Sequence, residues 1–340
     1  MHQDQCALEA EDVAAGAIGG VRGMQGNALA IFSDPDDFEG AWAGEGNTVL
    51  LVTGRGRFEA KITTVMLHHI RLSAVTEQLS RVAVIKLRPG FVRIAFPRSP
   101  CALFSFDGIP VLAGQIALHG SQPVHERIEG PCQWADVVLP ARFLSIYMRV
   151  LTGRGFELLP PGVHVWTPKP KALQELTALH RGAVQATQAN PGKLAGDEAV
   201  RGMEQQVVQA LVESLCGARL VPENGTVSRR REIFCRFENA LLARIEHAPT
   251  IAELCEAAGV PGRTLRECCR HFLGMSPKRF LQLRRMQLAR RALRSADPTT
   301  TSVKEIARHY GFIELGRFAA TYRAAFGELP STTLDRARGN

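Results

Sequence analysis

The sequence predicts an α+β chain of two domains: an N-terminal β barrel or sandwich with connecting helices, then an all-α domain in which a long helix joins two helix-turn-helix units. Three observations carry this. Short apolar runs cut by glycine and proline fill residues 29–139; from Pro140 the apolar period lengthens to that of helices; between Thr250 and Pro330 one helical unit is written twice. At 340 residues and 45% apolar content the chain can bury two cores. The divisions fall at 1–25 (a loose, Gly-rich segment), 26–216 (the β-rich domain and its helices), 217–228 (a linker with Pro222, Asn224 and Gly225) and 229–340 (the helical domain).

Within the first domain, residues 48–52, 58–67, 70–75, 82–87, 91–96, 115–119 and 135–139 read as strands. Gly54, Pro89-Gly90, Pro97, Gly108 and Gly130-Pro131 are among the turn residues between them, and many short strands so punctuated form a sandwich or small barrel. After Pro140, Phe143, Leu144, Tyr147, Met148 and Leu151 share one helix face. A loop or short hairpin around residues 163–166 precedes two helices, 171–187 and 197–216, parted by Asn190-Pro191-Gly192. The second carries an apolar stripe of Val207, Val208, Leu211, Val212 and Leu215. That stripe fits packing on the chain's own barrel or dimerisation with a second copy; amphipathicity does not say which surface covers it.

The doubled unit opens with Thr250-Ile251-Ala252-Glu253 and again with Ser302-Val303-Lys304-Glu305. Each is a capping box, in which the N-cap hydroxyl takes a backbone N–H and the glutamate reaches back. Nine residues after each cap stands a glycine, Gly259 or Gly311, to supply the positive φ of a tight turn. Second helices follow over 262–273 and 314–326; past the turn the copies run one residue out of step, Gly274 matching Gly327 and Pro277 matching Pro330. Leu265, Cys268, Cys269 and Phe272 form the inward side of the first, and Leu315, Phe318, Ala319, Tyr322 and Phe326 that of the second. Arg263, Thr264, Arg266, Glu267 and Arg270 are then outward on one, and Glu314, Gly316, Arg317, Ala320 and Arg323 on the other.

Between the units, residues 277–295 form one helix with Pro277 just inside its start. Met286, Ala289 and Leu293 mark its core side; Arg284, Gln287, Arg290, Arg291 and Arg294 cluster on another face. Such a helix is about 28 Å long. One duplex turn is about 34 Å, so reading helices at its two ends suit successive major grooves on one side of DNA. Charge points the same way. From Ser228 on, the chain holds 21 Lys+Arg against 11 Asp+Glu, leaving 20 against 22 before it, so the net +8 comes from the helical third. Counterion release from nucleic acid would use that excess. Alone it is equally a solvated helical face; the doubled motif is what favours DNA.

Leu273-Gly274-Met275-Ser276-Pro277-Lys278-Arg279-Phe280, then Glu305-Ile306-Ala307 with Tyr310-Gly311-Phe312, and Arg317-Phe318 with Phe326-Gly327-Glu328-Leu329-Pro330 form a specific motif set. Through them, residues from about 229 to 334 resemble the DNA-binding domain of the AraC/XylS family of transcription regulators. The resemblance implies a seven-helix domain that binds asymmetric sites through the first halves of both recognition helices. The implied base-contact positions are Arg263, Arg266 and Glu267 in the first unit and Gly316, Arg317 and Ala320 in the second. Thr264, Arg270, Arg284 and Arg323 are the phosphate candidates. The resemblance also implies a cupin-like first domain that senses a small effector or mediates self-association as a homodimer, and an activator working with double-stranded DNA and RNA polymerase. No cofactor and no metal is implied. Two departures stand out. Gly316 and Ala320 offer no side-chain hydrogen bonds, which leaves the second unit to Arg317 and phosphate contacts; Cys255 and Cys269 stand where the family usually has an alanine and an aromatic.

Two enzyme readings compete and neither is favoured, so no catalytic residue is expected. A metal-dependent cupin needs two histidines one residue apart on a strand, a carboxylate and a third histidine. Here His68-His69 are adjacent, which on a strand points them to opposite faces, and Pro123 separates His119 from His125. The eight cysteines show no C-x-x-C spacing, and the adjacent Cys268-Cys269 read as packing residues. DNA repair through a reactive thiol would need a basic neighbour to lower its pKa; Cys101 and Cys132 each follow a proline and lack one. A purely architectural DNA binder is the alternative that keeps the fold. No run approaches the roughly 20 apolar residues of a membrane span. The start, with Glu9, Glu11 and Asp12, lacks the basic region of a signal peptide. A reduced, soluble, cytoplasmic protein is therefore expected.

Overall fold

The computed structural model describes residues 26–153, 162–190, 196–222, 225–242 and 249–336. The segment 1–25, expected to be loose, lies outside them. The first domain opens with β1 (Ala28–Phe32), α1 (Pro35–Gly40), β2 (Gly46–Val52), β3 (Ala60–Met66), β4 (Arg71–Glu77), β5 (Arg81–Leu87) and β6 (Phe91–Pro97). It continues through β7 (Leu103–Phe106), β8 (Ile109–Pro110), β9 (Ile116–His119), β10 (Val124–Glu129) and β11 (Cys132–Pro140). Then come α2 (Ala141–Thr152), β12 (Val163–Thr167), α3 (Pro170–Ala189), α4 (Asp197–Leu215) and β13 (Arg219–Leu220). Two antiparallel sheets result, one in the order β1-β3-β4-β11-β6-β9-β12-β13 and one in the order β2-β5-β10-β7-β8.

The sheets face each other across a core that includes Ile62, Val75, Ala95 and Trp134 from the larger and Leu50, Ile85, Phe104 and Val124 from the smaller. The larger sheet is also covered on its outer face: Leu72, Ile94, Phe96 and Val137 meet Leu144, Leu176, Val184 and Leu211 of α2, α3 and α4. Burial on both faces explains why its strands read as near-continuous apolar runs instead of strict alternation. The α4 stripe Val207, Val208, Leu211, Val212 and Leu215 is buried in this second core. Of the two readings open for it, packing on the chain's own sandwich is the one observed.

Strands β1, β7, β8, β10 and β13 escaped the periodicity reading, and β10 shows why. Its sequence Val124-His125-Glu126-Arg127-Ile128-Glu129 looks like a solvated stretch, yet His125 is buried under Phe234 and Phe272 of the second domain and Glu126 on the opposite face against Arg81 and Arg93. Residues 163–167 are a strand between β9 and β13 and not a hairpin. The segment 217–228, expected as a linker, carries β13 and the first turn of the next helix.

The second domain comprises α5 (Gly225–Leu242), α6 (Ile251–Ala258), α7 (Gly262–Leu273), α8 (Pro277–Ser295), α9 (Val303–His309), α10 (Leu315–Phe326) and α11 (Pro330–Arg336). Both capping boxes form, Thr250 with Glu253 and Ser302 with Glu305. Gly259 and Gly311 take φ of +66° and +77°, the left-handed turn that a side chain would strain. One small core gathers Phe234, Phe237, Leu254, Leu265, Cys268, Cys269 and Phe272 around the first unit; another gathers Ile306, Ala307, Phe318 and Tyr322 around the second. The helix α8 serves both, Leu283 entering the first and Met286, Ala289 and Leu293 the second.

Truncation of Leu211, fully buried against the sandwich, should lower stability by about 2–5 kcal/mol. Urea unfolding of Leu211→Ala should show that loss unchanged across protein concentrations. A loss that varies with concentration would place the stripe between subunits.

Candidate nucleic-acid interface

The second helices of both units turn their expected reading faces outward. Arg263, Arg266, Glu267 and Arg270 of α7 are exposed and Thr264 half-buried, while Leu265, Cys268, Cys269 and Phe272 are buried behind them. On α10, Gly316, Arg317, Ala320 and Arg323 are exposed over buried Phe318 and Tyr322. The amphipathic period produces this division: inward residues recur at three and four and leave the guanidinium-bearing positions on the opposite side. Glu267 accepts from Arg263 Nε at 3.2 Å. Both are well exposed, so the pair orients Arg263 more than it stabilises the helix.

Connecting helix α8 is not a free basic rod. Arg290, Arg291 and Arg294 are spent on the first domain, where α1 presents Asp34, Asp36, Asp37 and Glu39. Arg291 places Nε 2.8 Å from Asp36 and Nη2 2.8 Å from both Glu39 oxygens. Arg290 reaches Asp36 at 3.0 Å and also Asp34, and Arg294 reaches Asp34 at 2.7 Å and Asp37 at 3.1 Å. Burial opposes the charge on Asp34, but Arg290 and Arg294 outweigh it and hold the carboxyl below its usual value. At Glu39 burial outweighs Arg291, and the value rises. Gln287 donates to the Leu50 carbonyl at 2.6 Å, and the Leu50 N–H donates to Glu39 at 2.6 Å. Arg284, a phosphate candidate, is half-buried with Nη1 3.5 Å from the Leu241 carbonyl.

A second contact joins the domains at β10. His125 sets Nδ1 3.2 Å from Asp107 and Nε2 2.7 Å from Glu238 of α5, with Phe234 and Phe272 rings edge-on to the imidazole. With a carboxylate on each nitrogen, the ring donates twice as imidazolium. Burial works against the charge, but Glu238 and Asp107 outweigh it and push the pKa up to about 10. Arg231 of α5 adds a bond to Asp107 at 3.1 Å. Leu51 and Val82 of the smaller sheet complete the apolar contact with the first unit's core.

Several histidines and cysteines of the first domain have structural surroundings. His68 and His69 face Asp197 and Glu204 of α4 at 3.3 and 2.9 Å. Burial lowers His119 to about 4. Burial, with Cys101 alongside, pushes the Cys132 thiol far up, the reverse of an activated nucleophile. Inside the sandwich, Arg81 is bound to Glu77 at 2.6 Å and to Glu126, and Arg93 to Glu126 at 2.8 Å and Asp136 at 2.7 Å. Sequence reasoning missed this network and α1 alike, although Asp34-Pro35-Asp36-Asp37 carries an N-cap, an N1 proline and first-turn acids. Beside the network a cavity of about 20 Å³ lies between Trp42, Leu50, Arg81, Arg93 and Trp134, room for a water or two.

This geometry is that of a tandem helix-turn-helix DNA-binding domain, and residues 254–336 match the family model described as "Helix-turn-helix domain". The domain is similar to those of AraC/XylS-type regulators. The chain is 32% identical over 149 residues to the XylDLEGF operon transcriptional activator of Pseudomonas putida, covering 42% of this chain and 46% of that protein. It is 40% identical over 94 residues to the probable thc operon regulatory protein of Rhodococcus erythropolis, 28% of each chain. It thus spans about a quarter to a half of the length of these relatives. A crystal structure of the AraC-like transcriptional activator CuxR overlaps 77% of this chain and 95% of its own at 13% identity and a TM-score of 0.41, too loosely to add to this.

His125 supplies a pH signature. Its folded pKa lies above the ordinary 6.5, so its contribution is complete below about 6.5 and is lost as pH rises through about 10. The stability difference between the wild type and His125→Gln, followed by urea unfolding, should shrink over that window. A difference constant from pH 6.5 to 10 would mean the imidazole is neutral in the folded protein.

Proposed function

We propose that the chain is a sequence-specific DNA-binding transcription regulator, an effector-responsive activator that places α7 and α10 in successive major grooves. The observation that carries this is the pair of exposed reading faces, with Arg263, Arg266 and Arg317 turned to solvent while the helix joining them is held by the first domain. In this reading Arg263, Arg266 and Arg317 meet base edges, preferably guanine O6 and N7. Glu267 positions Arg263, Gly316 and Ala320 allow close approach, and Thr264, Arg270 and Arg323 hold phosphates. Arg284, half-buried with one N–H on the Leu241 carbonyl, has its remaining donors for that role. Double-stranded DNA is the principal partner, with RNA polymerase and a second copy as further ones, in the cytoplasm and without catalysis.

An effector would act on α8 through β2. The Leu50 side chain lines the sandwich cavity, and its backbone joins Glu39 and Gln287. Expansion of that small cavity by a ligand would shift β2 and with it the seat of α8. The relatives named as operon activators support the regulatory reading over a purely architectural binder.

Replacing Arg266 by Ala should cost about 1–3 kcal/mol at one base position of the preferred site and leave the others unchanged. Competition binding against single-base variants checks this; uniform weakening would move Arg266 from base readout to a phosphate. Wild-type affinity should also fall steeply with added salt.

A further inference from the structure

We infer that the second unit reads the 5-methyl groups of thymine through Ile313, an inference that rests on the DNA-binding reading above. Ile313 is 88% exposed, the most exposed of the large apolar side chains among the described residues. Single exposed apolar groups are common on proteins; the position gives this one meaning. It immediately precedes Glu314, the N-cap of α10. An apolar residue there ordinarily packs on the fourth residue of the helix, closing a hydrophobic staple. That residue, Phe318, is already covered by Phe312 with ring centroids 4.8 Å apart and by Tyr322 at 5.6 Å. The staple is therefore made by the neighbour, and Ile313 is left projecting at the leading end of the recognition helix.

That end is the part of a helix-turn-helix that meets base edges. In the major groove thymine alone offers an apolar group. Gly316 and Ala320, exposed on α10, have no side-chain donor or acceptor, so hydrogen-bond readout by this unit falls to Arg317. Ile313 and Arg317 line one surface groove of about 230 Å³. Lys304, Arg308, Arg317 and Arg323 are exposed on α9 and α10 against the acidic Glu305 and Glu314, a balance that suits a polyanion better than an apolar protein partner.

The test uses the full chain and a duplex selected by it from a randomised pool. Each thymine of the selected site is replaced by uracil, which removes only the methyl. Loss of one buried methyl contact should weaken binding about 3- to 5-fold at one or two positions in the half-site of α10. Ile313→Ala and Ile313→Ser, both on an exposed side chain, should bind thymine and uracil duplexes equally while keeping the Arg266-dependent position. Indifference of the wild type to uracil throughout that half-site would overturn the inference, as would undiminished uracil sensitivity in both variants. Failure to select any preferred sequence would instead sink the DNA-binding reading, and this inference with it.

Discussion

Three carboxylates on a six-residue helix, a fourth at its N-cap and three guanidinium groups on α8 hold the two domains in one arrangement. Each side would be unfavourable without the other. The acids Asp34, Asp36, Asp37 and Glu39 repel one another at the start of α1, and Arg290 is too buried to be left without a counter-charge. Pairing half-buried charges recovers much of what desolvation costs, whereas removal of one partner leaves the rest uncompensated. Arg290 also lies over the Phe326 ring at 5.0 Å, so the seam bears on the end of α10 and with it on the second reading unit.

This seam changes the meaning of the positive charge. An excess of basic residues in the helical third suggests a rod open to phosphate all along its length, yet the part on α8 near the second unit is neutralised within the chain. What stays open includes the arginines of α7 and α10 and the cations of α9, with Arg229 and Arg236 of α5 and Lys278 at the far end of α8. The first domain thus does two things at once: it removes non-specific charge from the connecting helix, and it fixes how that helix lies on the sandwich. Contact at Leu50 makes the arrangement sensitive to the sandwich interior, because one residue belongs to the core by its side chain and to the seam by its backbone. The His125 contact supplies a second anchor from the same sheet, so α8 and α5 are both tied to it.

Local chemistry was the legible part. The capping boxes at Thr250 and Ser302, the turn glycines and the bounds of α8 follow from residues within a few positions of one another, and the outward faces of α7 and α10 follow from helical period. Strand β10 was hidden because its charge is satisfied by Arg81 and Arg93, residues more than thirty positions away that only the folded sheets bring near. The α4 stripe was ambiguous for a related reason: amphipathicity states that a face is covered, while the covering surface belongs to tertiary structure. Helix α1 had its cap and its proline in plain view. Its partner, a face of α8 some 250 residues away, did not, and the arginines of that face read as solvated until the acids were placed against them.

Equilibrium unfolding at low ionic strength, followed by two probes, tests the seam most directly. All three tryptophans, Trp42, Trp134 and Trp166, lie in the sandwich domain, so their fluorescence reports that domain, while far-UV ellipticity draws heavily on the helices from α5 to α11. The account predicts one coincident transition for the wild type and two separated transitions for the variant Asp34→Asn/Asp36→Asn/Glu39→Gln. Coincident transitions at an unchanged midpoint in that variant would contradict it.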